Sequence, residues 1–140
     1  MTVRTVVGSC VSVCIWDKAL QYGGVNHFIK PVTYDQKEAT PRFGNVAVAA
    51  LVRIMEEAGC ERTNLVAQIL GGGSPPGTMA NSLGDQNIQV AREVLSRKSI
   101  IVVAEDVGGH VGRKIAFDTG TGQLAVLKVH QLRESDWLVD

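Results

Sequence analysis

The chain reads as an α+β domain with layered sheets and two helices on one side. Three observations predict it. Most of the apolar runs are short and strand-like, as where Val11, Val13 and Ile15 alternate with Ser12, Cys14 and Trp16. Two stretches carry the spacing of amphipathic helices, Phe43–Ala58 and the segment that opens at Asp85. Glycine-rich turns such as Gly71-Gly72-Gly73 and Gly108-Gly109 punctuate the rest. The 140 residues suit one domain, 1–140. Hydrophobic residues make up 45% and aromatics only 5%, so the core is mostly Val, Ile, Leu and Ala. Lys and Arg number 14, as do Asp and Glu, which argues against a nucleic-acid binder working by bulk charge. No apolar run reaches membrane-spanning length and no signal peptide is visible. Three cysteines, an odd number, suit a reducing cytoplasm better than a disulfide scaffold.

Taken in order, Val6 and Val7 end a buried strand, and Gly8-Ser9 form a tight corner that carries Cys10. Val11–Trp16 is the next strand, Asp17–Tyr22 a polar turn, and Gly23–Ile29 the returning strand with His27 in its middle. Lys30–Pro41 is a loop, either a rim over the corner or a plain surface connection. In Phe43–Ala58 the residues Val48, Leu51, Met55 and Ala58 share one helical face, and Gly59 stops the helix. Ala47, Ala49 and Ala50 let that helix lie close to a sheet. Asn64–Leu70 is a strand that runs into Gly71-Gly72-Gly73 and a loop, Ser74–Ser82. The glycines lack the Gly-Lys-Ser/Thr ending of a phosphate loop, and Pro75 and Pro76 have no N–H to offer a phosphate. Asp85 is the expected N-cap of the second helix, with Ile88, Ala91, Val94 and Leu95 inward and Gln89, Arg92, Glu93 and Arg97 outward. The unbroken apolar run within Ser99–Ala104 predicts a strand covered on both faces. Asp106 either caps a turn or takes part in binding, and His110 is expected at the surface. Lys114–Asp118 and Gln123–Val129 form a hairpin about Thr119-Gly120-Thr121-Gly122. That turn also explains Phe117-Asp118-Thr119-Gly120, which otherwise looks like an aspartic protease signature needing a second carboxylate. The tail His130–Asp140, with Trp137 and Leu138, docks loosely or frays.

The chemistry centres on Cys10 and His27. A free thiol has a pKa of about 8.5, so little of it is thiolate at neutral pH. An imidazole brought back along a hairpin can take its proton and hold the thiolate as an ion pair. The glycine at the corner lets nearby backbone N–H groups converge on a developing oxyanion. A buried strand cysteine facing a satisfied histidine accounts for the same spacing. Cys10, Cys14, Cys60, His27, His110 and His130 have no recognisable metal-ligand spacing.

The string Gly8-Ser9-Cys10-Val11-Ser12-Val13-Cys14, then Asp17, then Gly23-Gly24-Val25-Asn26-His27-Phe28, resembles the chemoreceptor glutamine deamidases of the CheD family. The resemblance continues through Leu70–Gly73, Gly84–Asn87, Asp106–Gly109 and Gly112–Lys114, and ends near Gly122. It implies a layered α/β/β sandwich and hydrolysis of glutamine side chains on methyl-accepting chemotaxis receptors in the cytoplasm. Cys10 is then the nucleophile and His27 its base. Gly8 and Ser9 contact the substrate, and Gly72 and Gly73 lie near the site. The family orients its histidine with a threonine shortly before the cysteine. Thr5 matches, or its neighbour Arg4 if the register slips by one. Along one regular strand Thr5 and Cys10 point to opposite faces, unless the Gly8 corner or a bulge intervenes. Family members carry a further segment before the cysteine motif, and here Met1 stands almost at the strand. No cofactor and no metal are implied. The partners implied are the receptors' cytoplasmic helical bundle and a CheC-type phosphatase. The alternatives are a non-catalytic adaptor for that phosphatase and a different thiol amidase.

Overall fold

The structure, a computed structural model, describes residues 1–130, 132, 133 and 137. In chain order its elements are β1 (Thr2–Val7), β2 (Val11–Asp17), β3 (Tyr22–Val25), α1 (Gly44–Glu57), β4 (Leu65–Gly71), α2 (Leu83–Arg97), β5 (Ile101–Val107), β6 (Gly112–Asp118) and β7 (Leu124–Val129). A four-stranded mixed sheet has the order β3-β2-β4-β5, and a three-stranded antiparallel sheet the order β1-β6-β7. β4 and β5 are parallel, and α2 makes the crossover that such a pair requires.

The period-two pattern of β2 sorts its side chains between two cores. Val11, Val13 and Ile15 face the helices and pack with Val48, Leu51, Val52, Ile88, Ala91 and Leu95. Cys10 and Cys14 face the other way, into a second core with Val7, Leu70, Ile115 and Phe117. The helices thus cover one face of the four-stranded sheet, and the three-stranded sheet covers the other. This is the layered α+β sandwich that the sequence predicts.

Several elements differ from their expected form. The returning strand is shorter than Gly23–Ile29. Its ladder closes at Val25, and His27 lies beyond it, just before an isolated bridge between Val11 and Phe28. Asp17 belongs to β2 and is fully buried, because its carboxylate accepts the N–H groups of Ala19 and Leu20, both at 2.8 Å, and so builds the turn. Asp85 is not the N-cap of α2. Ser82 is, and its hydroxyl accepts from Asp85 N while the Asp85 carboxylate accepts from Ser82 N, a reciprocal capping box. β5 is not covered on both faces. It is the edge strand of its sheet, and Ile101 and Val103 are 65% and 56% exposed. α1 ends as expected at Gly59, whose φ is +102°. In the tail, Leu132 lies over Gly112, and the Trp137 ring lies beside Gly73, while Leu138 falls outside the described residues.

Candidate active site

The corner between β1 and β2 is where the chain leaves one sheet for the other. Ser9 and Cys10 are almost wholly enclosed there. The corner is pinned from outside. Gly72 N donates to Cys10 O and Gly73 N to Gly8 O, each at 2.8 Å. Gly71, at φ +105°, has no room for a side chain, since a Cβ would run into the Cys10 carbonyl oxygen. The glycine run therefore exists to let one backbone lie against another. The third glycine loop joins them, with Gly108 N donating to Gly71 O and Ser74 N to Gly109 O, both at 3.0 Å. Arg113, buried beneath that loop, donates to Asp106 at 3.0 Å and to Gly108 O at 3.0 Å. Asp106 thus anchors an arginine that shapes a loop.

His27 reaches the corner by strand register. Cys14 pairs with Val25, and the Val11–Phe28 bridge continues the same register. His27 accordingly stands opposite Ser12, and Ile29 opposite Cys10. Opposed residues share a face, so His27 shares the face of Cys10 and is its diagonal neighbour. That face looks toward the three-stranded sheet, where Thr5 points inward with Val7. Thr5 Oγ1 is 2.8 Å from His27 Nδ1, a hydrogen bond between the sheets. The parity conflict between Thr5 and Cys10 disappears because β1 and β2 lie in different sheets and face each other across the gap. The ring is open to solvent on one side, yet desolvation by the surrounding protein holds its pKa below the ordinary 6.5. While the thiol beside it keeps its proton, neutral imidazole is therefore its form at neutral pH.

Beside the corner lies a cleft of about 250 Å³, lined by Ser9, Gly73, Ser74, Met79, Leu83 and Gly84. Of the residues expected to meet substrate, Ser9 and Gly73 line it, whereas Gly8 and Gly72 lie in the backbone layer that pins the corner. A larger hollow of about 530 Å³ lies along the three-stranded sheet and reaches Thr5; Cys10 and His27 line neither this hollow nor the cleft, which meets the corner at Ser9. Among the described residues, no three His, Cys, Asp or Glu side chains gather as metal ligands.

Sequence reasoning gave no role to two asparagines. Asn26 Oδ1 accepts from Val13 N at 2.9 Å. Asn87 is fully buried, and its Nδ2 donates to Ser9 O and to Ile29 O, both at 2.9 Å. The signal for Asn87 was present, since a carboxamide sits among Leu83, Ile88 and Ala91 on the buried face of α2.

The family model described as CheD chemotactic sensory transduction matches residues 30–128. This chain belongs to the CheD family. Its CheD relatives extend the similarity toward the corner. A protein of Sulfurimonas denitrificans is 39% identical over 132 residues, covering 92% of this chain and 85% of its own. One of Anaeromyxobacter dehalogenans is 44% identical over 120 residues, 84% of this chain and 70% of its own. One of Trichlorobacter lovleyi is 40% identical over 122 residues, 86% and 76%. Each bears the name "Probable chemoreceptor glutamine deamidase CheD", the second with the numeral 1.

Proposed function

We infer that this protein is a protein-glutamine glutaminase that hydrolyses glutamine side chains of methyl-accepting chemotaxis receptors to glutamate. The observation that carries the reading is the Thr5–His27 hydrogen bond on the face shared with Cys10, in a chain of the CheD family. The relatives' names supply the receptor as substrate. The reaction belongs in the cytoplasm, where the receptor's helical bundle lies. No helix among the described residues is long and apolar enough to cross a membrane.

In this reading, His27 Nδ1–H donates to Thr5 Oγ1, which leaves Nε2 as the base. Nε2 takes the Cys10 proton as sulfur attacks the carboxamide carbon. Backbone N–H groups of the Gly8–Cys10 corner hold the oxyanion. As the C–N bond breaks, His27 returns the proton to the departing ammonia. Water, relieved of a proton by His27, then attacks the thioester. Glutamate leaves and the thiol is restored. A glutamine reaching out from a helix enters the cleft at Ser9 and Gly73, where small residues crowd a long side chain least. Each turnover adds a negative charge to the receptor surface.

Incubation of a receptor cytoplasmic fragment with the native protein should convert specific glutamines to glutamate, read by peptide mass mapping. Cys10→Ala should convert none. Binding to receptor or to a CheC-type phosphatase, with no glutamine changed by either protein, would establish an adaptor instead. Conversion of small amides but not of receptor would establish a different thiol amidase.

A further inference from the structure

The antiparallel ladder between β2 and the His27 segment ends one residue short of the nucleophile. Val11 and Phe28 exchange both backbone hydrogen bonds, Val11 N to Phe28 O at 3.1 Å and Phe28 N to Val11 O at 2.9 Å. In an antiparallel pair the next such exchange lies two residues on, at Ser9 and Lys30. It is not made, because Lys30 N and Ile29 N both turn away to Arg42 O. Cys10 and His27 flank the last rung, and beyond it each segment is bonded to a different neighbour, the Cys10 side to Gly72 and Gly73 and the Ile29 side to Arg42. Asn87 fills the missing place. Its single Nδ2 ties Ser9 O, just before Cys10, to Ile29 O, which stands opposite Cys10. The group doing this is a carboxamide with no exposed surface, on a helix face that otherwise buries Leu83, Ile88, Val90 and Ala91. An apolar residue there would avoid the desolvation of a polar side chain.

We propose that Asn87 is a positioning residue, a side-chain rung that fixes the spacing between Cys10 and His27. The proposal rests on the reading of Cys10 and His27 as nucleophile and base. It assigns the first turns of α2 a part in catalysis without contact to substrate. Asn87 holds two carbonyls at a fixed separation, and the thiol and the ring ride on the backbone attached to them. Removing the rung lets the segments part, and a displacement of about 1 Å is enough to lower a rate by about a hundredfold.

The test is the pH dependence of Cys10 alkylation by iodoacetamide, with deamidation followed beside it. In the native protein Cys10 should be half-maximally alkylated below the about 8.5 of an ordinary thiol. Asn87→Leu keeps the branched shape and removes both donors. It should move that midpoint up toward 8.5 and lower kcat by at least about tenfold, with KM little changed. Asn87→Ser keeps one donor, folds more readily, and should give an intermediate midpoint. Val94→Ala, on the same buried face, matches the loss of Tm and should leave the midpoint in place. If either Asn87 variant keeps the native midpoint while its Tm falls, Asn87 is structural only and the proposal is overturned. If the native protein itself alkylates as an ordinary thiol, it is the nucleophile reading that fails.

Discussion

At the residue scale, the three cysteines are separated by environment rather than by exposure. All three are buried; Cys10 and Cys14 both share the face of His27, but only Cys10 sits at the corner where the ladder ends. Desolvation pushes the Cys14 thiol up to about 12. Burial, with Asp17 beside it, pushes Cys60 up to about 11. Alkylation requires thiolate. At pH 7 iodoacetamide should therefore modify Cys10 first and leave Cys14 and Cys60 unlabelled until the protein unfolds, as peptide mapping over time would read. Simultaneous labelling of Cys10 and Cys60 would remove the activated thiol. The pH dependence of deamidation has a definite sign as well. Burial lowers the His27 pKa, so the ring stays neutral, and able to take a proton, to a pH below 6.5. Protonation below that point removes the base. The acid limb of kcat/KM, which reports the free enzyme, should have its midpoint below 6.5. A midpoint at or above 6.5 would show that the surroundings of the ring do not lower its pKa.

At the element scale, strands with a clear period and helices with one apolar stripe were legible in the sequence, since each signal lies within a few neighbouring residues. β2 is the clearest instance: one alternation in Val11–Trp16 encodes two cores. What was not legible depends on distant partners. The run through Ile100–Val103 has the composition of a central strand, but chain topology puts β5 at an edge, where nothing in its own residues says so. The partnership of Thr5 with His27 was invisible to strand parity because the sheet change at Gly8 is a tertiary event. The role of Asn87 has no local signature, because its two acceptors are 78 and 58 residues away. The cap of α2 lies one turn before Asp85 because Ser82 and Asp85 are both good capping residues, and here each caps the other. The capping box has its own consequence, since α2 opens against the glycine layer. Gly84 lies so close to Gly72 and Gly73 that a Cβ would strike their carbonyls. Ser82→Ala should cost about 1 kcal/mol, roughly 4 °C in Tm by calorimetry. It also frees the Ser74 hydroxyl, 2.6 Å from that of Ser82, so the cleft loop should loosen in hydrogen exchange before the strands do.

At the scale of the whole molecule, the candidate site is a seam. Cys10 and His27 lie just past the strand ends of the four-stranded sheet, Thr5 belongs to the three-stranded one, and the bond between Thr5 and His27 joins the two layers. Activity should therefore depend on how the sheets are spaced, and less on how the helices pack behind them. Ile115 and Leu95 separate the two effects. Ile115 stands opposite Thr5 in the β1–β6 ladder and fills the core between the sheets. Leu95 lies in the helix core on the far side of the four-stranded sheet. Both are nearly fully enclosed, so truncation of either to alanine should cost about 2–5 kcal/mol. The losses of stability should be comparable in denaturant titrations. Deamidation measured well below both melting temperatures should not be. Ile115→Ala lets β1 settle toward the void and carries Thr5 off the imidazole, so kcat should fall. Leu95→Ala should leave kcat near the native value, because its cavity opens away from the seam. Equal kcat for the two variants would show that the spacing of the sheets does not govern the site.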